Sequence, residues 1–124
     1  MGSPGRKGAT VTPNARVLAH PPLEKISVEG VLHALSDPMR LRIVRRLAGA
    51  GAELACSRFD LPVSKSTTTH HFRVLRESGV IRQVYRGTAK MSVLRSGDLD
   101  ALFPGLLDSV LGAAELQAKR LGED

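Results

Sequence analysis

Apolar residues recur at helical spacing from Leu23 onward, where Val28, Val31, Leu32 and Leu35 form one face and predict a first helix ending near Ser36. Asp37-Pro38 then marks a second start, because an Asp side chain caps free amides and Pro suits a first turn that needs no donor. Over residues 38–48, Leu41, Ile43, Val44 and Leu47 point inward while Arg42, Arg45 and Arg46 point outward, and Gly49-Ala50-Gly51 stops the helix. A short third helix is expected over residues 53–59. Leu61-Pro62-Val63 breaks the chain, after which Ser64 caps a helix with Lys65, Thr69, His70, Arg73 and Arg76 on its polar side. Phe72, Val74 and Leu75 lie behind that surface, and Gly79 ends it. Residues 80–86 and 89–94 carry β-branched or aromatic positions around Gly87-Thr88 and predict a two-stranded hairpin with Arg86 and Lys90 near its tip. Residues 98–102 suggest a brief helical turn. Pro104 is expected to open a longer helix with Leu107, Val110, Leu111, Ala114 and Leu121 along one stripe, and such a stripe needs a partner.

The first 22 residues break this pattern, with Gly2, Gly5, Gly8 and four prolines but few large apolar groups, and predict a flexible basic tail ahead of one domain over residues 23–121. A chain of 124 residues suits one core and leaves no room for a separate catalytic domain. With no Trp, one Tyr and three Phe, that core must be aliphatic.

The formal net charge is +6, which favours a polyanionic partner, and its distribution says more than its total. Residues 1–63 carry nine Lys/Arg against five Asp/Glu, residues 64–95 seven against one, and residues 96–124 two against six. Positive charge therefore peaks in the centre and reverses at the C-terminal end. The single cysteine, Cys56, cannot form an intramolecular disulfide. No apolar run approaches the roughly 18 residues of a membrane span, and no apolar signal core precedes the first helix, so a cytoplasmic protein without a membrane partner is expected.

Short helices followed by a hairpin make the winged helix-turn-helix arrangement, in which one helix enters the major groove of double-stranded DNA and the hairpin reaches the backbone. Residues 64–73 fit that role chemically. Lys65 can donate to guanine or phosphate, the hydroxyls of Ser64, Ser66, Thr67 and Thr69 can bond base edges or phosphate, and His70 adds a donor or acceptor. Short hydroxyl residues are poor helix formers, so their concentration argues against an ordinary solvated face. Arg73 suits phosphate. Arg82, Arg86 and Lys90 could simply blunt an exposed strand edge, but their placement beside Gly87 favours a wing, with Arg86 the preferred minor-groove or phosphate contact. Arg6 and Lys7 could add nonspecific attraction.

Two stretches, SKSTTTHHFRVLRESGVI at residues 64–81 and ALSDPMRLRIVRRL at residues 34–47, resemble the ArsR/SmtB family of bacterial winged-helix repressors, and the resemblance runs from about residue 28 to 111. It implies a mainly α fold with a small β-hairpin and a homodimer, built through the first and last helices, that binds an imperfect inverted repeat. It also places the usual DNA contacts on Lys65, Ser66, Thr69 and His70, and a structural histidine at His71. Val31, Leu35, Leu107, Val110 and Leu111 are the expected dimer face, since they would otherwise leave an apolar patch in water.

Members of that family often sense metals, oxidants or small molecules. Their thiolate site needs a Cys-x-Cys pair where this chain has only Ala55-Cys56, and their last-helix site needs histidines that residues 97–124 lack. Neither is reproduced. His20, His33 and Cys56 remain, and only sharing across a dimer, or help from water and carboxylates, would complete them as an atypical nickel, zinc or cobalt site. A small buried Cys and a partly buried dimer-face His33 are the plainer readings. No phosphate loop, metalloprotease histidine pair or nucleophile motif points to an enzyme. The rival to a DNA-binding regulator is a protein-interaction module on the same scaffold, and salt-dependent binding to duplex DNA separates the two. The effector, whether small molecule or partner protein, is left open.

Overall fold

The computed structural model describes residues 15–123. Strand β1 (Ala15–Val17) leads through a 3-10 turn (Leu23–Lys25) to helices α1 (Val28–Leu35) and α2 (Pro38–Ala50). Strand β2 (Leu54–Ala55) and a second 3-10 turn (Cys56–Arg58) precede helix α3 (Lys65–Glu77). The hairpin β3 (Ile81–Arg86) and β4 (Ala89–Leu94) follows, then α4 (Ser96–Leu102) and α5 (Leu106–Leu121). The four strands form one antiparallel sheet in the order β1-β3-β4-β2.

The starts of α1, α2 and α3 each have a local cause, a side chain that caps the free amides. Ser27 Oγ accepts from the Gly30 amide at 3.0 Å, Asp37 Oδ2 from Met39 and Arg40 at 2.9 and 3.1 Å, and Ser64 Oγ from Thr67 at 3.2 Å. The hairpin closes tightly, pairing Arg86 with Ala89 across Gly87-Thr88, with Gly87 in the left-handed region at φ 65°. Gly79, at φ 87°, ends α3 against the segment before α1. A Cβ there would meet Ile26 Cδ1 at 2.5 Å, so both backbone and space demand glycine.

The core is aliphatic apart from Phe72: Val31, Ala34, Leu35, Ile43, Val44, Leu47, Leu75, Val80, Ile81 and Leu99 are all buried. It packs α1, α2 and α3 together and against the hairpin. Among the described residues, no helix is long and apolar enough to cross a membrane.

The structure corrects several expectations. Residues 15–17, expected to lie in a flexible stretch, form β1 and pair along β3, with Ala15 opposite Arg86 and Val17 opposite Val84. A sheet edge is satisfied by backbone hydrogen bonds, which need no large apolar side chains, so composition alone hid it. Residues 1–14, with Arg6 and Lys7, lie outside the described residues. The short helix expected over residues 53–59 is instead β2 followed by one 3-10 turn, since so short a segment nucleates a helix poorly and Leu54 and Ala55 pair with Ser92 and Met91. Helix α5 starts at Leu106 rather than Pro104, after Gly105 turns the chain at φ 80°. Its inward positions are Ala114 and Ala118, while Leu121 is exposed.

Two residues expected at the dimer face, Val31 and Leu35, are only 2% and 5% exposed and belong to the chain's own core. The helical period was right but its phase was misread: α1 turns Val28 and Leu32 outward, at 40% and 47%. Leu107, Val110 and Leu111 are half-buried against the core.

Candidate nucleic-acid interface

Helix α3 divides cleanly into two sides. Lys65, Ser66, Thr69, His70 and Arg73 are exposed, together with the cap Ser64, whereas His71, Phe72 and Leu75 are buried. Thr67 and Thr68 lie between. Several hydroxyls are engaged at the helix start: Ser64 Oγ donates to Thr67 Oγ1 at 2.9 Å and lies 3.2 Å from Ser66 Oγ, and Thr68 Oγ1 donates to the Ser64 carbonyl at 3.0 Å. Arg73 Nη2 sits 3.5 Å from His70 Nδ1, which places the imidazole and the guanidinium side by side on the outer surface. The outer face thus offers an ammonium, hydroxyls, an imidazole and a guanidinium in successive turns, while an apolar side fixes it to the body.

Behind that face lies a polar anchor. The buried guanidinium of Arg40 reaches the Ala34 carbonyl from Nε at 2.7 Å, the His33 carbonyl from Nη2 at 3.4 Å, and His71 Nδ1 from Nη1 at 3.2 Å. A guanidinium only donates, so Nδ1 accepts and the neutral ring carries its proton on Nε2, 3.8 Å from Asp37 Oδ2. His71 therefore faces inward, in the place where the family resemblance puts a structural histidine. Partial burial raises the Asp37 carboxyl, but the hydrogen bonds from the Arg40 and Met39 amides, with the positive charge of Arg40, outweigh it and bring the group below its ordinary value.

At the hairpin tip, Arg86 donates from Nε and Nη2 to the two carboxylate oxygens of Glu53, each at 2.8 Å. The Arg86 side chain is still 49% exposed. That hydrogen bond is the main cause of the lowered Glu53 carboxyl, against a smaller opposing effect of burial. Arg82 is exposed, and the Lys90 ammonium lies 5.7 Å from the centre of the Tyr85 ring, with Arg16 of β1 at 4.7 Å.

Helix and hairpin are joined through Gln83, whose fully buried side chain sits inside β3. Its Oε1 accepts from Arg76 Nη1 at 2.7 Å, and its Nε2 donates to Ser92 Oγ at 3.1 Å and to Cys56 Sγ at 3.7 Å. Its backbone amide donates to His20 Nε2 at 2.8 Å. Burial, followed by the charge of Arg82, holds the His20 imidazole below its ordinary value, although the Leu18 carbonyl acts in the opposite sense.

These contacts bear on the candidate metal ligands. His20 and Cys56 flank Gln83, each engaged in a hydrogen bond that stabilises the sheet. Within the single chain His33 is exposed on α1, because the turn of the helix that carries Val28 and Leu32 outward carries it too. Among the described residues, no group of three or more His, Cys, Asp or Glu is arranged to hold a metal ion. Sequence reasoning missed Arg40, Glu53 and Gln83. The available signal was strongest for Gln83, a polar residue at an inward position of an alternating strand.

Comparison with known proteins bears on the same residues. The model of a helix-turn-helix domain family matches residues 35–84, from the end of α1 into β3. An uncharacterized HTH-type transcriptional regulator of Bacillus subtilis (strain 168), YceK, is 33% identical over 82 residues, 64% of this chain and 82% of that protein. A second uncharacterized HTH-type transcriptional regulator, MJ1325 of Methanocaldococcus jannaschii, is 32% identical over 59 residues, 47% of this chain and 66% of its own length. The crystal structure of an ArsR family transcriptional regulator, RHA00566, superposes with a TM-score of 0.54 at 20% identity, covering 78% of this chain and 97% of that one. At that identity the likeness is one of fold.

Proposed function

Since the chain belongs to the DNA-binding helix-turn-helix transcriptional regulators, in their ArsR/SmtB-like winged form, we propose that it acts as a homodimeric repressor on an inverted-repeat operator. The observation that carries this reading is the division of α3, with Lys65, Ser66, Thr69, His70 and Arg73 outward over the buried His71, Phe72 and Leu75. In it, Lys65, Ser66, Thr69 and His70 read base edges in the major groove, and Ser64 and Thr67 meet a phosphate at the helix start. Arg73, Arg86 and Lys90 take the backbone and set affinity. Residues 15–121 would act as one DNA-binding and dimerising unit in the cytoplasm.

The dimer reading moves to the outward residues of the same two helices. Val28 and Leu32 on α1 and Leu116 and Leu121 on α5 are exposed apolar groups, and two-fold association would cover them. Leu107, Val110 and Leu111, half-buried on α5, would border that surface. Two copies would place two copies of α3 one helical turn of DNA apart.

The test is binding of purified protein to its own promoter fragment, with footprinting and a salt series. The expected result is a protected inverted repeat, two chains per site and affinity falling steeply with salt. No salt-dependent binding, or one chain per site, would overturn it.

A further inference from the structure

The contact between Glu53 and Arg86 lies at the margin of the proposed DNA surface, and its geometry matters there. Arg86 uses Nε and Nη2 together, both at 2.8 Å, which is the edge a guanidinium presents when it grips a phosphate bidentately. Glu53 occupies that edge with two oxygens in the same spacing. Glu53 also cannot follow Arg86 into a groove, because the next residue, Leu54 of β2, is paired with Ser92 of β4. Arg86 stands at the end of β3 beside the two-residue turn and can swing away. The pair is partly solvated, with side-chain exposures of 49% and 30%, and partly solvated ion pairs exchange readily.

We infer that Glu53 is an internal stand-in for a DNA phosphate, holding the phosphate-binding edge of Arg86 in the free protein so that DNA must displace it. Glu53 then lowers affinity for every duplex alike, because backbone contacts carry no base information. It restrains nonspecific binding by a strongly basic surface, and base contacts on α3 gain relative weight. The inference rests on the reading that Arg86 meets DNA.

The experiment measures affinity and salt dependence for the full chain and its Glu53→Gln, Glu53→Asp, Arg86→Ala and Glu53→Gln/Arg86→Ala variants. Each is titrated on the promoter fragment and on a duplex of scrambled sequence, after thermal melting confirms folding. Glu53→Gln should tighten both duplexes by roughly twofold to fivefold and steepen the log affinity against log salt plot by about one unit. Glu53→Asp keeps the charge but is one methylene short of the two-point grip, and should tighten both in part. Arg86→Ala should weaken binding more in the Glu53→Gln background than in the wild type. If Glu53→Asp matches the wild type while Glu53→Gln tightens, bulk charge alone is at work and the inference fails. Weaker binding by Glu53→Gln would make Glu53 a positioning residue and overturn it equally. Arg86→Ala without effect in both backgrounds removes the wing reading itself, whereas a weakening by Arg86→Ala with Glu53→Gln unchanged removes only the stand-in.

Discussion

The buried guanidinium of Arg40 on α2 donates to Nδ1 of His71 on α3 across 3.2 Å, so the helix with the outward hydroxyls is pinned to its neighbour by a polar contact inside an aliphatic core. The same guanidinium satisfies the Ala34 and His33 carbonyls at the end of α1. Arg40→Met keeps much of the stem but leaves those acceptors without their donor. It should lower stability by roughly 2 kcal/mol and Tm by roughly 10 °C for a domain of this size. Calorimetric melting checks this, and an unchanged Tm would show that the anchor is dispensable.

Acid should loosen the first strand. Burial, then Arg82, keeps the folded His20 pKa below its ordinary 6.5, so the fold favours the neutral ring that accepts from the Gln83 amide. A group depressed in this way contributes stability that is fully present above the unfolded value and is lost as pH falls toward the folded one. Protection of the Leu18 amide, which donates to the Gln83 carbonyl, should therefore fall between pH 7.5 and 5.5, a window set by the direction of the shift. Hydrogen exchange corrected for intrinsic rates measures it. The His20→Gln protein should lose the dependence, and equal protection of the wild type at both pH values would refute it.

The two phases of α1 separate by mutation. Leu35→Ala should cost about 3 kcal/mol of stability as a core truncation without changing the association state of the folded fraction. Leu32→Glu combined with Leu116→Glu should give monomers of near-normal stability that lose operator binding. Sedimentation at micromolar concentration distinguishes them, and a wild type that is already monomeric would sink the dimer reading.

On α3, the proposed reading helix, Thr69→Ala should relax base preference at one position of each half-site. Arg73→Ala should weaken all duplexes alike and reduce the salt slope by about one unit. Competition assays over single-base operator variants tell the two behaviours apart. If Thr69→Ala leaves the preference profile intact, Thr69 does not read a base.

Zinc, nickel and cobalt should leave operator affinity unchanged, since ligation by His20 or Cys56 would have to break their bonds to Gln83. Titration of the metal-free protein followed by DNA binding decides the matter. Submicromolar binding that alters operator affinity and disappears in Cys56→Ser or His33→Ala would establish an atypical site.

Local signals made much of this molecule legible in its sequence. Asp37-Pro38 and Ser64 start helices where the caps form, and Gly87-Thr88 turns the hairpin in the expected register. Residues whose roles depend on distant partners were hidden. Ala15–Val17 becomes a strand only because β3 has a free edge, and Leu54 and Ala55 take strand pairing only because β4 lies alongside. At the candidate site, the outward face of α3 followed from residue type and period. Glu53 and Gln83 did not, because their partners are 33 residues onward and, for Cys56, 27 residues back. Val31 and Leu35 show a third limit: a four-residue apolar stripe fixes the period of a short helix but leaves its rotation open by one position.

The side chain of Gln83 meets Arg76 of α3, Ser92 of β4 and Cys56 of the preceding turn, so one buried side chain ties hairpin to helix. A reader assembled in this way has few parts left to order when it docks. Its encounter with a duplex then carries a modest heat-capacity change rather than the large one of coupled folding. Any mismatch in groove width or curvature must be absorbed by the duplex instead. Flexible pyrimidine–purine steps between the half-sites would therefore raise affinity at positions that no side chain touches.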